Sequence, residues 1–131
     1  MIITLLVSMA GGLGAVARLV LDGLIRGRHA LEYPVGTTLI NVTGSFLLGF
    51  VLRYGVETTT LTPEVRAFLT VGFCGGYTTF STFSYETVAL AEDGQWARAV
   101  LYIALSVGLS LVATFVGFVA ARELILIRGR V

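Results

Sequence analysis

Gly72-Phe73-Cys74-Gly75-Gly76-Tyr77-Thr78-Thr79-Phe80-Ser81-Thr82-Phe83-Ser84 decides how this chain folds. The stretch lies in an uncharged run, residues 67–85, between Arg66 and Glu86. A run of that length approaches the roughly 20 apolar residues a bilayer crossing needs. Adjacent glycines cost roughly 1 kcal/mol each relative to alanine inside a helix. The hydroxyl residues that follow offer N-cap chemistry for a new helix start. The stretch is therefore expected to form two half-helices, about 64–74 and 79–91, joined by unwound backbone at membrane depth. Such backbone is tolerated in a membrane only where protein buries it or where it lines a cavity. A glycine-kinked helix packed on a neighbour accounts for the glycines alone. It leaves unexplained why five hydroxyl residues fall within positions 78–84.

Outward from this stretch, residues 2–17, 33–52 and 99–121 are also free of charge. With snorkelling Arg18 included in the first, four spans emerge near 2–24, 34–55, 64–91 and 97–122. They fill nearly all of the 131 residues, leaving short loops at 26–34, 56–64 and 92–96. The expected fold class is an all-α membrane protein with four transmembrane helices, one integral membrane domain over 1–131. Composition agrees: 56% of residues are hydrophobic and 13% charged, with a mean hydropathy of +0.89. Soluble domains carry about 25% charged residues, so a soluble globular fold is excluded. A net charge of +1 gives no footprint for nucleic acid. One cysteine, Cys74, cannot close an intrachain disulfide, and with a single histidine it cannot form a zinc cage.

Ala15-Val16-Ala17 has the look of a signal-peptide cleavage site. No charged segment precedes the apolar run, however, and Gly11, Gly12 and Gly14 interrupt it, so the first helix is expected to be retained. Four spans put Arg53, Arg66, Arg122, Arg128 and Arg130 on one side, and Arg26, Arg28 and Arg98 on the other, with Arg18 within the first helix. That asymmetry is small for a rule that depends on arginine and lysine bias. Two arrangements stay open: cytoplasmic termini, or insertion in both orientations with antiparallel self-pairing.

Polar residues inside the spans fall into tracks. Thr37, Asn41 and Ser45 recur every four residues on one face of the second span. Tyr102, Ser106, Ser110 and Thr114 repeat the spacing on the fourth, a hydroxyl stripe about 18 Å long. Asn41 alone reads most simply as interhelical hydrogen-bonding glue. Two aligned tracks beside a broken helix read as a lined pathway. Asn and hydroxyl groups can donate hydrogen bonds, and aromatic ring edges are partially positive. Phe80 and Phe83 share a face of the second half-helix among Ser81, Thr82 and other hydroxyl residues. This set suits a small anion held weakly enough to be released. Arg18 pairs at i, i+4 with Asp22 and could lend positive potential to a vestibule, while Glu86 falls near a membrane face. Trp96 reads as an interfacial anchor. Ser8, Gly11, Gly12, Gly14 and Ala15 form small-residue patterns that permit close helix approach.

These motifs resemble the Fluc-type (CrcB) fluoride channels of microbes over essentially the whole chain. The resemblance rests on Gly11-Gly12-Leu13-Gly14-Ala15-Val16-Ala17-Arg18, on Gly36-Thr37-Thr38-Leu39-Ile40-Asn41-Val42-Thr43-Gly44-Ser45-Phe46, and above all on the stretch from Gly72 to Ser84. It implies an antiparallel, dual-topology homodimer with two fluoride pores, each built by both subunits. Pore roles carry over to Asn41, Phe80, Phe83, Thr37, Ser106 and Ser110. Weaker candidates for pore or vestibule are Ser81, Thr82, Tyr102, Thr114, Arg18 and Glu86. The resemblance further implies a structural Na+ on the dimer axis, held by the main-chain carbonyls of Gly75 and Thr78. The function implied is passive export of cytoplasmic fluoride across the inner (plasma) membrane, with the lipid bilayer and a second copy as partners. Hydrogen fluoride enters neutral and ionises inside. The membrane potential then drives the anion out at about 2.3 kcal/mol per 100 mV.

Three rivals are weaker. A small proton-coupled multidrug transporter needs an intramembrane carboxylate, and the span middles hold no Asp or Glu. An intramembrane Ser–His enzyme would have to assemble its dyad around the lone His29. A helix-packing subunit leaves the hydroxyl tracks without a purpose.

Overall fold

The computed structural model describes residues 1–28 and 34–129. Most of the expected first loop, including His29, and Arg130 lie outside the described residues, as do the side chains of Arg26 and Arg28. The described chain is helical nearly throughout. Helix α1 (Ile2–Arg28) and α2 (Val35–Glu57) are followed by a composite third limb. That limb comprises α3 (Pro63–Ala67), a π-helical segment (Phe68–Cys74), α4 (Gly75–Tyr77) and α5 (Phe80–Glu92). Helix α6 (Trp96–Arg128) completes the fold. Stretches Ile2–Ile25, Val35–Glu57 and Trp96–Arg128 are each long and apolar enough to cross a membrane. The third limb is the fourth helical body, broken midway.

Local chemistry sets the element ends. Thr62 caps α3 through its side chain, accepting from the Val65 N–H, and Pro63 occupies the first turn, where its missing N–H costs nothing. Gly94, at φ +77°, turns the chain out of α5, with the Gln95 N–H bonded back to the Leu90 carbonyl. This is the left-handed C-terminal stop that glycine adopts without steric penalty.

Helices α2 and α6 make the most extensive pairing in the fold and run parallel. Matching contacts ascend both helices together: Thr38 with Ser106, Ser45 with Thr114, and Tyr54 with Arg128. Glycines bring the two backbones together, since a Cβ on Gly49 would collide with Thr114 and one on Gly117 with the Phe46 carbonyl. On the other side, α1 packs against the π segment and α4. There Gly14 faces Phe73 and Tyr77, and Gly76 faces the Gly11 carbonyl with no room for a Cβ. Close glycine-mediated backbone approach is how helices associate where lipid removes the hydrophobic drive. Gly11 and Gly14 thus meet the third limb, whereas Ser8 and Gly12 point outward, and a Cβ on Gly12 would meet nothing within 4 Å.

The break differs from expectation in position. Gly75, Gly76 and Tyr77 remain helical, and the chain is extended only at Thr78 (φ −77°, ψ 158°) and Thr79 (φ −148°, ψ 111°). Gly76 serves close packing on α1 rather than unwinding, whereas a Cβ on Gly75 would meet nothing within 4 Å. The helix stops where outside groups take over its backbone hydrogen bonds.

Candidate functional site

Those outside groups come from α2. Asn41 Oδ1 accepts from the Thr79 N–H at 2.9 Å, and its Nδ2 donates to the Thr79 carbonyl at 3.2 Å. The carboxamide thus satisfies both polar groups of one residue in the unwound segment. Thr79 itself caps α5, its Oγ1 accepting from the Thr82 N–H at 3.2 Å. In an unbroken helix the Thr79 and Thr82 N–H groups would bond to the carbonyls of Gly75 and Thr78. Both are taken elsewhere, so the break releases those two carbonyls from the helical ladder.

A cavity of about 410 Å³ opens beside the break. Helix α2 contributes Asn41, Gly44, Ser45 and Leu48; the third limb contributes Thr70, Cys74, Gly75, Thr78, Phe80 and Phe83. The α6 side is built by Ser106, Val107, Ser110, Leu111 and Thr114. Among the described residues, none that lines the cavity carries a charged side chain. Several hydroxyls are already committed: Thr70 donates to the Arg66 carbonyl, Thr78 to Cys74, and Thr114 to Ser110 at 3.0 Å. Ser106 shares a hydrogen bond with Thr38 at 2.9 Å. Asn41 Nδ2 spends one of its two N–H groups on Thr79 and retains the other. The lining therefore combines hydrogen-bond donors with apolar walls and no fixed charge.

Phe80 and Phe83 border the same cavity with ring centroids 5.5 Å apart and planes tilted by 45°. Phe83 is buried, whereas Phe80 is 77% exposed in the single chain. Phe83 in turn packs on Tyr102, centroids 5.2 Å apart.

The structure thus brings together Asn41, Phe80, Phe83, Ser106, Ser110 and Thr114, with the backbone of Gly75 and Thr78 at the same cavity. Thr37 is buried in α2 outside the lining. Tyr102 is fully buried behind Phe83, and its hydroxyl donates to Glu86 Oε2 at 2.7 Å. Ser81 and Thr82 are engaged in the α5 cap around Thr79. Arg18 borders a shallow groove on α1 with Ala15, Val16 and Leu19. Sequence spacing does not single out Thr70 or Cys74 as lining residues. The π segment, which turns wider than an α-helix, carries them to the cavity, and no simple residue pattern marks such a segment. Among the described residues no group of three or more His, Cys, Asp or Glu could hold a metal.

Residues 5–118 match the family model described as CrcB-like protein, Camphor Resistance (CrcB). A protein of Geobacter sulfurreducens named fluoride-specific ion channel FluC is 45% identical over 120 residues, covering 92% of this chain and 97% of that protein. A Leifsonia xyli protein named fluoride-specific ion channel FluC 1 is 57% identical over 100 residues, 76% of this chain and 72% of its own length. A Rhizobium meliloti relative, also named fluoride-specific ion channel FluC, is 43% identical over 121 residues, 92% and 97% of the two chains.

Proposed function

The chain belongs to the CrcB-like family, and from that premise we propose that it is a fluoride channel exporting cytoplasmic fluoride passively through the cell membrane. One observation carries the reading: the cavity presents the Asn41 amide, the Ser106 and Ser110 hydroxyls and two phenylalanine rings, with no charged side chain. Fluoride is small and strongly hydrated, so replacing its water requires several donors at close quarters. Uncharged donors hold it loosely enough for onward movement. A channel of this kind breaks no covalent bond, so the protein is no enzyme. The multidrug-transporter alternative draws no support from the site, because its mechanism requires a carboxylate and the lining has none.

The working unit in this proposal is an antiparallel homodimer. Its support is the openness of the protomer's cavity: Phe80, a lining ring, is 77% exposed and Gly75 is exposed beside it. A second copy would complete the wall and give two pores per dimer.

A structural Na+ on the dimer axis fits the same region. The carbonyls of Gly75 and Thr78 lose their ladder donors at the break. Hard carbonyl oxygens are suitable partners for a hard cation. Bound there, the ion would offset the desolvation of carbonyls released from the helical ladder. Gly75 and Thr78 would hold it through backbone alone, while Asn41 bonds to both backbone groups of Thr79 in the break.

Reconstitution tests the function. Liposomes loaded with fluoride and carrying the purified protein should release it on addition of a potassium ionophore, while chloride stays trapped. Release of neither anion, or of both alike, would overturn the reading.

A further inference from the structure

Thr38 lies one residue beyond the Thr37, Asn41 and Ser45 stripe, about 100° around the helix, and outside the cavity lining. Its Oγ1 is nevertheless 2.9 Å from Ser106 Oγ, a bond linking α2 to the α6 hydroxyl track. Ser106 borders the cavity yet is only 4% exposed, and Thr38 is the side chain that hydrogen-bonds to its hydroxyl. A serine hydroxyl has one proton to give and two lone pairs to fill. If Ser106 donates to Thr38, its oxygen faces the cavity as an acceptor. If Thr38 donates to Ser106, the Ser106 proton is free to point into the cavity.

We propose that Thr38 is a positioning residue for conduction, turning Ser106 into a hydrogen-bond donor when an anion enters the cavity. The inference rests on the fluoride-channel reading. An anion selects the second arrangement, and the chain Thr38 O–H to Ser106 O–H to anion strengthens along its length because each bond polarises the next. Without Thr38, the Ser106 hydroxyl loses its partner and turns to the alternative that helices offer serine, the carbonyl one turn back at Tyr102. Its proton is then withdrawn from the path. The approach of Thr38 to Ser106 is fixed by the glycine-mediated docking of α2 on α6, so the pair needs no rearrangement to work.

Initial fluoride efflux from liposomes tests this with Thr38→Val, Thr38→Ser, Ser106→Ala and the Thr38→Val/Ser106→Ala pair. Valine keeps the shape of threonine and removes only the hydroxyl. Thr38→Val is expected to slow efflux about fivefold, the factor of one ordinary hydrogen bond. Thr38→Ser should restore the rate to within about twofold of wild type, and the double variant should be no slower than Ser106→Ala alone. Thr38→Ala makes the same comparison if the valine variant is not recovered in folded form. Conduction at the wild-type rate by Thr38→Val, failure of Thr38→Ser to rescue, or slowing by Thr38→Val that persists in full beside Ser106→Ala would each overturn the proposal. Wild-type vesicles that release no fluoride would overturn the channel reading, and this inference with it.

Discussion

Asn41 of α2 grips the backbone of Thr79 at both polar groups, Oδ1 to N–H at 2.9 Å and Nδ2 to the carbonyl at 3.2 Å. One side chain thereby borders the cavity and holds the third limb in its broken form. Asn41→Asp keeps the acceptor but loses the donor, and it sets a carboxylate against the Thr79 carbonyl and in the anion's path. Fluoride efflux should fall at least about 100-fold, the scale of losing several kcal/mol of favourable electrostatics. Asn41→Leu leaves both Thr79 groups unpaired and should also lower stability by about 1–3 kcal/mol, read as a drop in the thermal unfolding midpoint in detergent.

Phe80 and Phe83 border one cavity but differ in what else they support. Phe80→Ile removes a ring that is largely exposed in the single chain, so efflux should fall about tenfold or more with little change in yield or elution volume. Phe83→Ile also removes the packing on Tyr102, an aromatic pair worth about 0.5–1.5 kcal/mol beyond its buried area. It should lower both efflux and the unfolding midpoint. Equal stability losses for the two variants would contradict this division.

Glycine-to-alanine changes should separate packing positions from open ones. Gly76→Ala drives a methyl into the Gly11 carbonyl and should destabilise by about 1–3 kcal/mol. Gly23→Ala meets nothing within 4 Å and should stabilise slightly, by about 0.5–1 kcal/mol, through lower freedom of the unfolded chain. Thermal unfolding in detergent reads both, and the opposite ranking would place the contact between α1 and the third limb elsewhere.

Sodium removal tests the proposed cation seat. Since Gly75 and Thr78 would bind through main-chain carbonyls, side-chain substitution at Thr78 should leave the seat largely intact. Replacing Na+ by a bulky organic cation on both membrane faces should instead suppress fluoride efflux, with recovery when Na+ is returned. Efflux that ignores the exchange, together with no sodium-dependent shift in unfolding midpoint, would remove the ion from the account.

The helical plan is legible in the sequence because charges bracket the uncharged runs around which the longer helices form. Arg66 and Glu86, or Arg98 and Arg122, bracket runs whose length admits little else. Asn41, Ser106 and Ser110 are legible for a related reason, since a polar side chain in lipid must find a partner and periodicity puts each on one face of its own helix, although the same spacing also selects Thr37, which lies outside the lining. The position of the break is not, because propensity treats Gly75-Gly76 as weak helix. Propensity does not register that Gly76 is needed against Gly11, or that Asn41 offers replacement hydrogen bonds only at Thr79. Thr38 stays hidden for the same kind of reason. Its partner depends on the register between α2 and α6, which Gly49 and Gly117 set through backbone contacts that no single-helix pattern encodes.

The central claim is selective conduction of fluoride through an uncharged, donor-lined path. Reversal potential in a planar bilayer tests it most directly, with fluoride and chloride gradients set in opposite directions across the membrane. Current should reverse at the fluoride equilibrium potential and stay there when the chloride gradient is changed. Reversal that follows chloride, or a membrane that carries no protein-dependent current in fluoride, would contradict the account.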